Sequence, residues 1–162
     1  MSSLTLRQAT ILRGKNETLV DIKVVDGKIA EIGSLSAEGR VIDLDGLLVL
    51  PGVIDAHVHV REPGASHKED FRSASEAALA GGVTAFLDMP NNNPPTTDHE
   101  RLAEKRQLAA EKCLVNYGFF LGATPDNIQD LNAIENVPGI KVYLGSSTGN
   151  LLIDDLGDFA SI

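Results

Sequence analysis

The sequence predicts an α/β fold in which parallel strands alternate with helices, led by a segment of short β-strands. Three observations support this: a change of pattern near residue 50, a strand-then-helix rhythm after it, and no glycine-rich phosphate fingerprint where a strand enters a helix. Both an open doubly wound sheet and a (β/α)8 barrel satisfy the alternation, and the missing fingerprint removes one argument for the open form.

The elements follow in order. Residues 4–49 carry short alternating runs, Leu4 to Leu12 and then Thr18 to Gly33, which are β signals. Asp26-Gly27 between Val25 and Lys28 is a two-residue hairpin signal, because a type I′ turn needs positive φ at both central positions. Asp45-Gly46 repeats it. About 45 residues of short strands bury too little area for an independent core, so this segment is expected to be part of a small β-sandwich. The apolar run from Val49 to Val60 reads as a buried strand, interrupted near Pro51 and Gly52. A helix is expected from Lys68 to Ala80, ended by Gly81-Gly82, and a second strand from Val83 to Met89. Asp98 can cap a second helix running to Lys112; a third strand follows over 116–122, a third helix over 124–134 and a fourth strand over 140–144.

Composition narrows the function classes. Lys and Arg total 14 against 23 Asp and Glu, a net charge of -9, which leaves no electrostatic footprint for nucleic acid or an anionic membrane. One cysteine, Cys113, excludes an internal disulfide framework and a cysteine-based zinc site, and reads as a small buried hydrophobe. No apolar stretch approaches the roughly 18 residues of a membrane span, and the N-terminus lacks the pattern of a secretory signal; the expected location is cytoplasmic.

The chemistry concentrates in Asp55-Ala56-His57-Val58-His59-Val60-Arg61. Strand side chains alternate, so His57 and His59 share a face about 6 to 7 Å apart and can ligate one metal ion; without context, two solvated histidines at a polar strand end are an equal reading. Asp55, on the same face, is a supporting or structural residue. At the ends of later strands stand Asn91, a donor and acceptor pair inside a good turn sequence, and Lys141. Arg61 offers a rigid fork of donors suited to a carboxylate, against a surface ion pair to Glu62 or Asp70. An uncharged lysine can react with carbon dioxide to give a carbamate, an anionic ligand able to bridge two ions. His67 and His99 read as solvated surface residues.

Three blocks, Pro51 to Gly64, Ala80 to Thr97 and Gly139 to Leu152, closely resemble the dihydroorotases of the cyclic amidohydrolase superfamily. Allantoinases and hydantoinases share the Asp-x-His-x-His strand and the metal lysine; Arg61 and the Met89-Pro90-Asn91 turn point to dihydroorotases. The resemblance implies a composite β domain, contributing residues 1–50 here, and a metal-dependent barrel, of which residues 51–162 are the first four β/α units. It further implies reversible hydrolysis of dihydroorotate to N-carbamoyl-aspartate in pyrimidine biosynthesis. His57, His59 and carboxylated Lys141 would hold zinc, two ions in a complete site, while Arg61 and Asn91 bind the substrate carboxylate.

A barrel needs about 250 residues and roughly 110 follow residue 50, so the expectation is an incomplete barrel, inactive alone. The general acid/base aspartate and two further histidines of the family are expected beyond residue 162, with a homodimer at full length. The competing readings are another cyclic amidohydrolase and a non-catalytic dihydroorotase-like scaffold subunit.

Overall fold

Turn residues shape the first unit. A computed structural model describes residues 2–145, 151–153, 155–160 and 162, and divides the chain into Met1–Pro51 and Gly52–Ile162. In the first unit β1 (Ser3–Arg13), β2 (Asn16–Val25), β3 (Lys28–Gly33) and β4 (Arg40–Asp43) form one sheet in the order β3-β2-β1-β4. Asp26 (φ 48°) and Gly27 (φ 77°) make the expected tight turn between β2 and β3, which pair antiparallel. Asp45 (φ 48°) and Gly46 (φ 81°) have the same backbone signature but build no hairpin. β4 runs parallel to β1, and after the turn Leu48 still bridges Thr10 in parallel, so the chain jogs and continues in one direction. The Gly46 amide donates to the Gln8 carbonyl, at the point where β1 bulges, which holds the jog against the sheet. Among the described residues this unit is a single sheet, with Ala9, Ile22 and Thr5 buried.

The second unit alternates as expected: β5 (Val53–Val58), α1 (Phe71–Ala80), β6 (Val83–Asp88), α2 (His99–Lys112), β7 (Asn116–Phe119), β8 (Leu121–Gly122) and β9 (Ile140–Lys141), then a short α3 (Leu156–Ala160). All its strand pairs are parallel, β5-β6-β7 in one sheet and β8-β9 in another. Phe71 of α1, Leu102 and Ala109 of α2, Phe86 of β6 and Phe119 of β7 share one buried core. Both helices therefore cover the same face of a sheet whose neighbours follow chain order. Consecutive barrel units and one half of a doubly wound sheet share this layout, parallel strands in chain order with both helices on one face.

Several boundaries differ from expectation. The strand expected from Val49 is confined to β5, and α1 starts at Phe71 rather than Lys68, because Asp70 caps it: its Oδ1 accepts from the Ser73 amide at 2.8 Å while the Ser73 hydroxyl accepts from the Asp70 amide. The third strand divides at Phe120, where the chain changes partner: the Phe120 amide donates to Asp88 of β6 and the Leu121 amide to Gly139, beside β9. The fourth strand is confined to Ile140–Lys141, with Tyr143 making an isolated bridge to Leu152. The helix expected over 124–134 is a 3-10 helix over Ile128–Ala133. Asn127 explains it, since its amide nitrogen donates to the Thr97 and Gly122 carbonyls and its oxygen accepts from the Thr124 amide, tying down the entry of a run too short to recover.

Candidate active site

β5 delivers His57 to the sheet face opposite Val58, which packs with the helices; His59 lies just past the strand end rather than within it. The two imidazoles still meet, with centroids 5.3 Å apart and planes inclined by 57°. Asp55 turns back on its own segment, its Oδ1 accepting from the His57 amide at 3.1 Å, which orients the strand end. Asn91 reaches His59 from the loop after β6, with Oδ1 2.7 Å from Nδ1. With the amide oxygen accepting, the ring proton sits on Nδ1 and the lone pair on Nε2.

Behind these residues lies an arrangement that motif reading misses. Lys105 of α2 and Asp88 at the end of β6 are both fully buried and 2.7 Å apart. The Lys105 Nζ also donates to the Met89 carbonyl at 3.0 Å and to Asn92 Oδ1 at 2.6 Å. Asp88 Oδ1 accepts from the Val60 amide at 2.8 Å, and Asn92 Nδ2 donates to the Val60 and Glu62 carbonyls, each at 3.0 Å. Burial pushes the Asp88 carboxyl up and the Lys105 ammonium down, each shift opposed by the other's charge. Glu62 is itself buried, pairs with Lys112 at the end of α2, and accepts from the Phe71 amide at 3.0 Å. One signal for Lys105 is present in the sequence: it shares a helical stripe with Leu102 and Ala109, a cation at a core position.

Arg61 is consequently fixed through its neighbours, Val60 and Glu62. The ion pairs to Glu62 or Asp70 weighed as its alternative role are not formed, because Glu62 is engaged by Lys112 and Phe71 and Asp70 by the cap of α1. The Arg61 charge is near enough to Tyr143 to oppose the upward push that burial gives its hydroxyl, and that hydroxyl is buried with no hydrogen-bond partner among the described residues. Lys141 places its Nζ 5.3 Å from the Tyr143 ring centroid. His57, His59 and Asn91 are thus in contact, Arg61 is joined to them through the loop scaffold, and Lys141 meets Tyr143 rather than the imidazoles. His67 and His99 are exposed. Cys113 is half-buried against the core, its thiol pushed up to about 11 chiefly by burial. Ser146 to Asn150, within the third block of the resemblance, lie outside the described residues.

As a metal site, the donor chemistry suits zinc at two positions: adjacent imidazoles, one with its second nitrogen held by an amide oxygen. Among the described residues no group of three or more His, Cys, Asp and Glu is arranged to hold a metal. No helix among them is long and apolar enough to cross a membrane.

Residues 48–152 match the amidohydrolase family. The chain belongs to that family. This amidohydrolase is 40% identical over 149 residues to an allantoinase of Deinococcus radiodurans, covering 89% of the chain and 33% of the relative. It is 36% identical over 162 residues to a dihydroorotase of Methanosarcina acetivorans, covering 96% of the chain and 34% of the relative. In structure it resembles the L-hydantoinase (dihydropyrimidinase) of Arthrobacter aurescens with a TM-score of 0.89 and 28% identity, over 99% of this chain and 37% of that one. The amidohydrolase chain thus spans about a third of the length of these relatives.

Proposed function

We propose that this amidohydrolase takes part in the zinc-dependent, reversible hydrolysis of dihydroorotate to N-carbamoyl-aspartate, its residues forming the first part of a (β/α)8 barrel. Arg61 carries the reading. Its backbone is held on both sides, the neighbouring carboxylates are engaged elsewhere, and its guanidinium remains as a fork for a substrate carboxylate. Dihydroorotate has that carboxylate; allantoin does not. His57 and His59 would hold zinc through imidazole nitrogen, with Lys141 as a carbon dioxide-derived carbamate the third ligand. Zinc, when bound, supplies the Lewis acidity that lowers the pKa of water to about 7. Asn91 orients His59 and contacts the substrate carboxylate beside Arg61.

A second reading, an allantoinase, is favoured by the 40% identity to the Deinococcus radiodurans protein. Assaying dihydroorotate, allantoin and dihydropyrimidine on the full-length gene product separates the two. Dihydroorotate turnover is expected, falling about 100-fold or more in kcat/KM in Arg61→Ala, since truncating one partner of a buried charge pair costs about 2–5 kcal/mol. Hydrolysis of allantoin with dihydroorotate left intact selects the second reading, and an unchanged Arg61→Ala removes the clamp.

A further inference from the structure

The Asp88–Lys105–Asn92 cluster lies outside the residues that would touch substrate or metal, yet it holds a fully buried ion pair, with Asp88 Oδ2 met by the Lys105 charge and, among the described residues, by no hydrogen bond of good geometry. Stability alone is a weak explanation for it, because a buried ion pair is commonly no better than apolar side chains of the same volume. Its hydrogen bonds run in one direction. Lys105 gathers Asp88, Met89 and Asn92, and from there the Asp88 and Asn92 side chains reach the segment Val60–Glu62, with Asn92 Oδ1 also accepting from the Thr96 hydroxyl at 3.4 Å. The three groups they hold, the Val60 amide and the Val60 and Glu62 carbonyls, are the backbone on either side of Arg61. The same turn, Met89 to Asn92, presents Asn91 to His59.

We infer that Asn92 and Lys105 are positioning residues for substrate recognition: they fix the Arg61 loop relative to the Asn91 loop, so that guanidinium and amide converge on one carboxylate. This rests on the reading of Arg61 as a carboxylate clamp. Neither residue touches substrate; each acts through the loop it holds. A recognition pair needs its members held to within about 0.5 Å, and two loops from neighbouring strands, joined through Asp88 and Asn92 to one lysine on the helix behind them, meet that demand.

The test is a double-mutant cycle in the full-length gene product. Asn92→Asp keeps an oxygen for Lys105 but withdraws both donors and sets a carboxylate against the Val60 and Glu62 carbonyls. KM for dihydroorotate is expected to rise about 10-fold or more with a smaller fall in kcat and unchanged zinc content. In an Arg61→Ala background the same substitution is expected to change KM less than about 2-fold, since a residue acting through Arg61 has nothing left to position. Asn92→Ser, which cannot reach both carbonyls, gives the same comparison if the aspartate variant does not fold. Equal effects with and without Arg61, or a loss confined to kcat, overturn the inference while leaving the dihydroorotase reading intact. A wild-type protein that leaves dihydroorotate intact overturns that reading and this inference with it.

Discussion

Lys105 carries a large stake in stability. Replacing it with methionine leaves the Asp88 carboxylate buried without its cation, which is expected to cost about 3–5 kcal/mol, measured as a fall in the urea or thermal midpoint. A cost below about 1 kcal/mol would show that Asp88 takes up a proton and settles as a neutral acid. Gly64 is the second sensitive position. Its φ of 99° excludes ordinary side chains, and a Cβ there would collide with the Asn93 carbonyl oxygen and side chain. Gly64→Ala is expected to destabilise by about 1–3 kcal/mol and to raise KM, because it drives apart the loops that carry Arg61 and Asn91. At this scale the sequence was readable where chemistry is local. His57, His59, Arg61 and Asn91 stand in a short spacing with recognisable donors. Glu62 and Asn92 were not readable as scaffold, since their partners Phe71, Lys112, Val60 and Lys105 lie 9 to 50 residues away and only folding names them.

Among the elements, the Asp98 cap was legible: it accepts from the Arg101 amide three residues on, a contact that a sequence spells out directly. Asp70 accepts likewise from the Ser73 amide, but that cap was not legible, since the sequence pattern carries the helix back to Lys68 and passes over it. Hydrogen bonds from Ser73 hold the Asp70 carboxyl below its ordinary value of 3.8 in the folded protein. A depressed folded value makes the stabilisation by that carboxylate fully present above the unfolded pKa and lost as pH falls through the folded one. Melting temperatures recorded from about pH 5 down to about pH 2 are therefore expected to decline less steeply in Asp70→Asn, which keeps a capping oxygen but cannot titrate. A parallel decline would assign the acid sensitivity to other carboxylates. The 3-10 helix over Ile128–Ala133 was not legible, because the Asn127 side chain that sets its entry bonds to Thr97, on a different loop. The Asp45-Gly46 jog shows the reverse case: the turn chemistry was readable, and the partner strand, β1, was not.

For the molecule as a whole, alternation after residue 50 made the parallel layout legible, while the placing of both helices on one face of the sheet needed the structure. Zinc offers a test at this scale that is independent of turnover. Binding only to the folded state at 100 times its Kd stabilises by about 2.7 kcal/mol, so a chelator is expected to lower the melting temperature of the full-length protein. A His57→Ala, His59→Ala double variant is expected to melt lower and to be insensitive to the chelator; an equal response in both proteins would place the metal elsewhere.

The ties between Lys105 and the site loops also bear on the order in which the fold forms. The Val60 amide is bonded to a carboxylate that is buried only together with an ammonium 45 residues later, on α2. Charging both groups inside an unfinished core is unfavourable, so the segment around Arg61 is expected to stay loose until α2 docks. Pulse-labelled hydrogen exchange during refolding reads this directly: the Val60 amide should become protected together with the amides of α2, not with those of β5, where it lies in sequence.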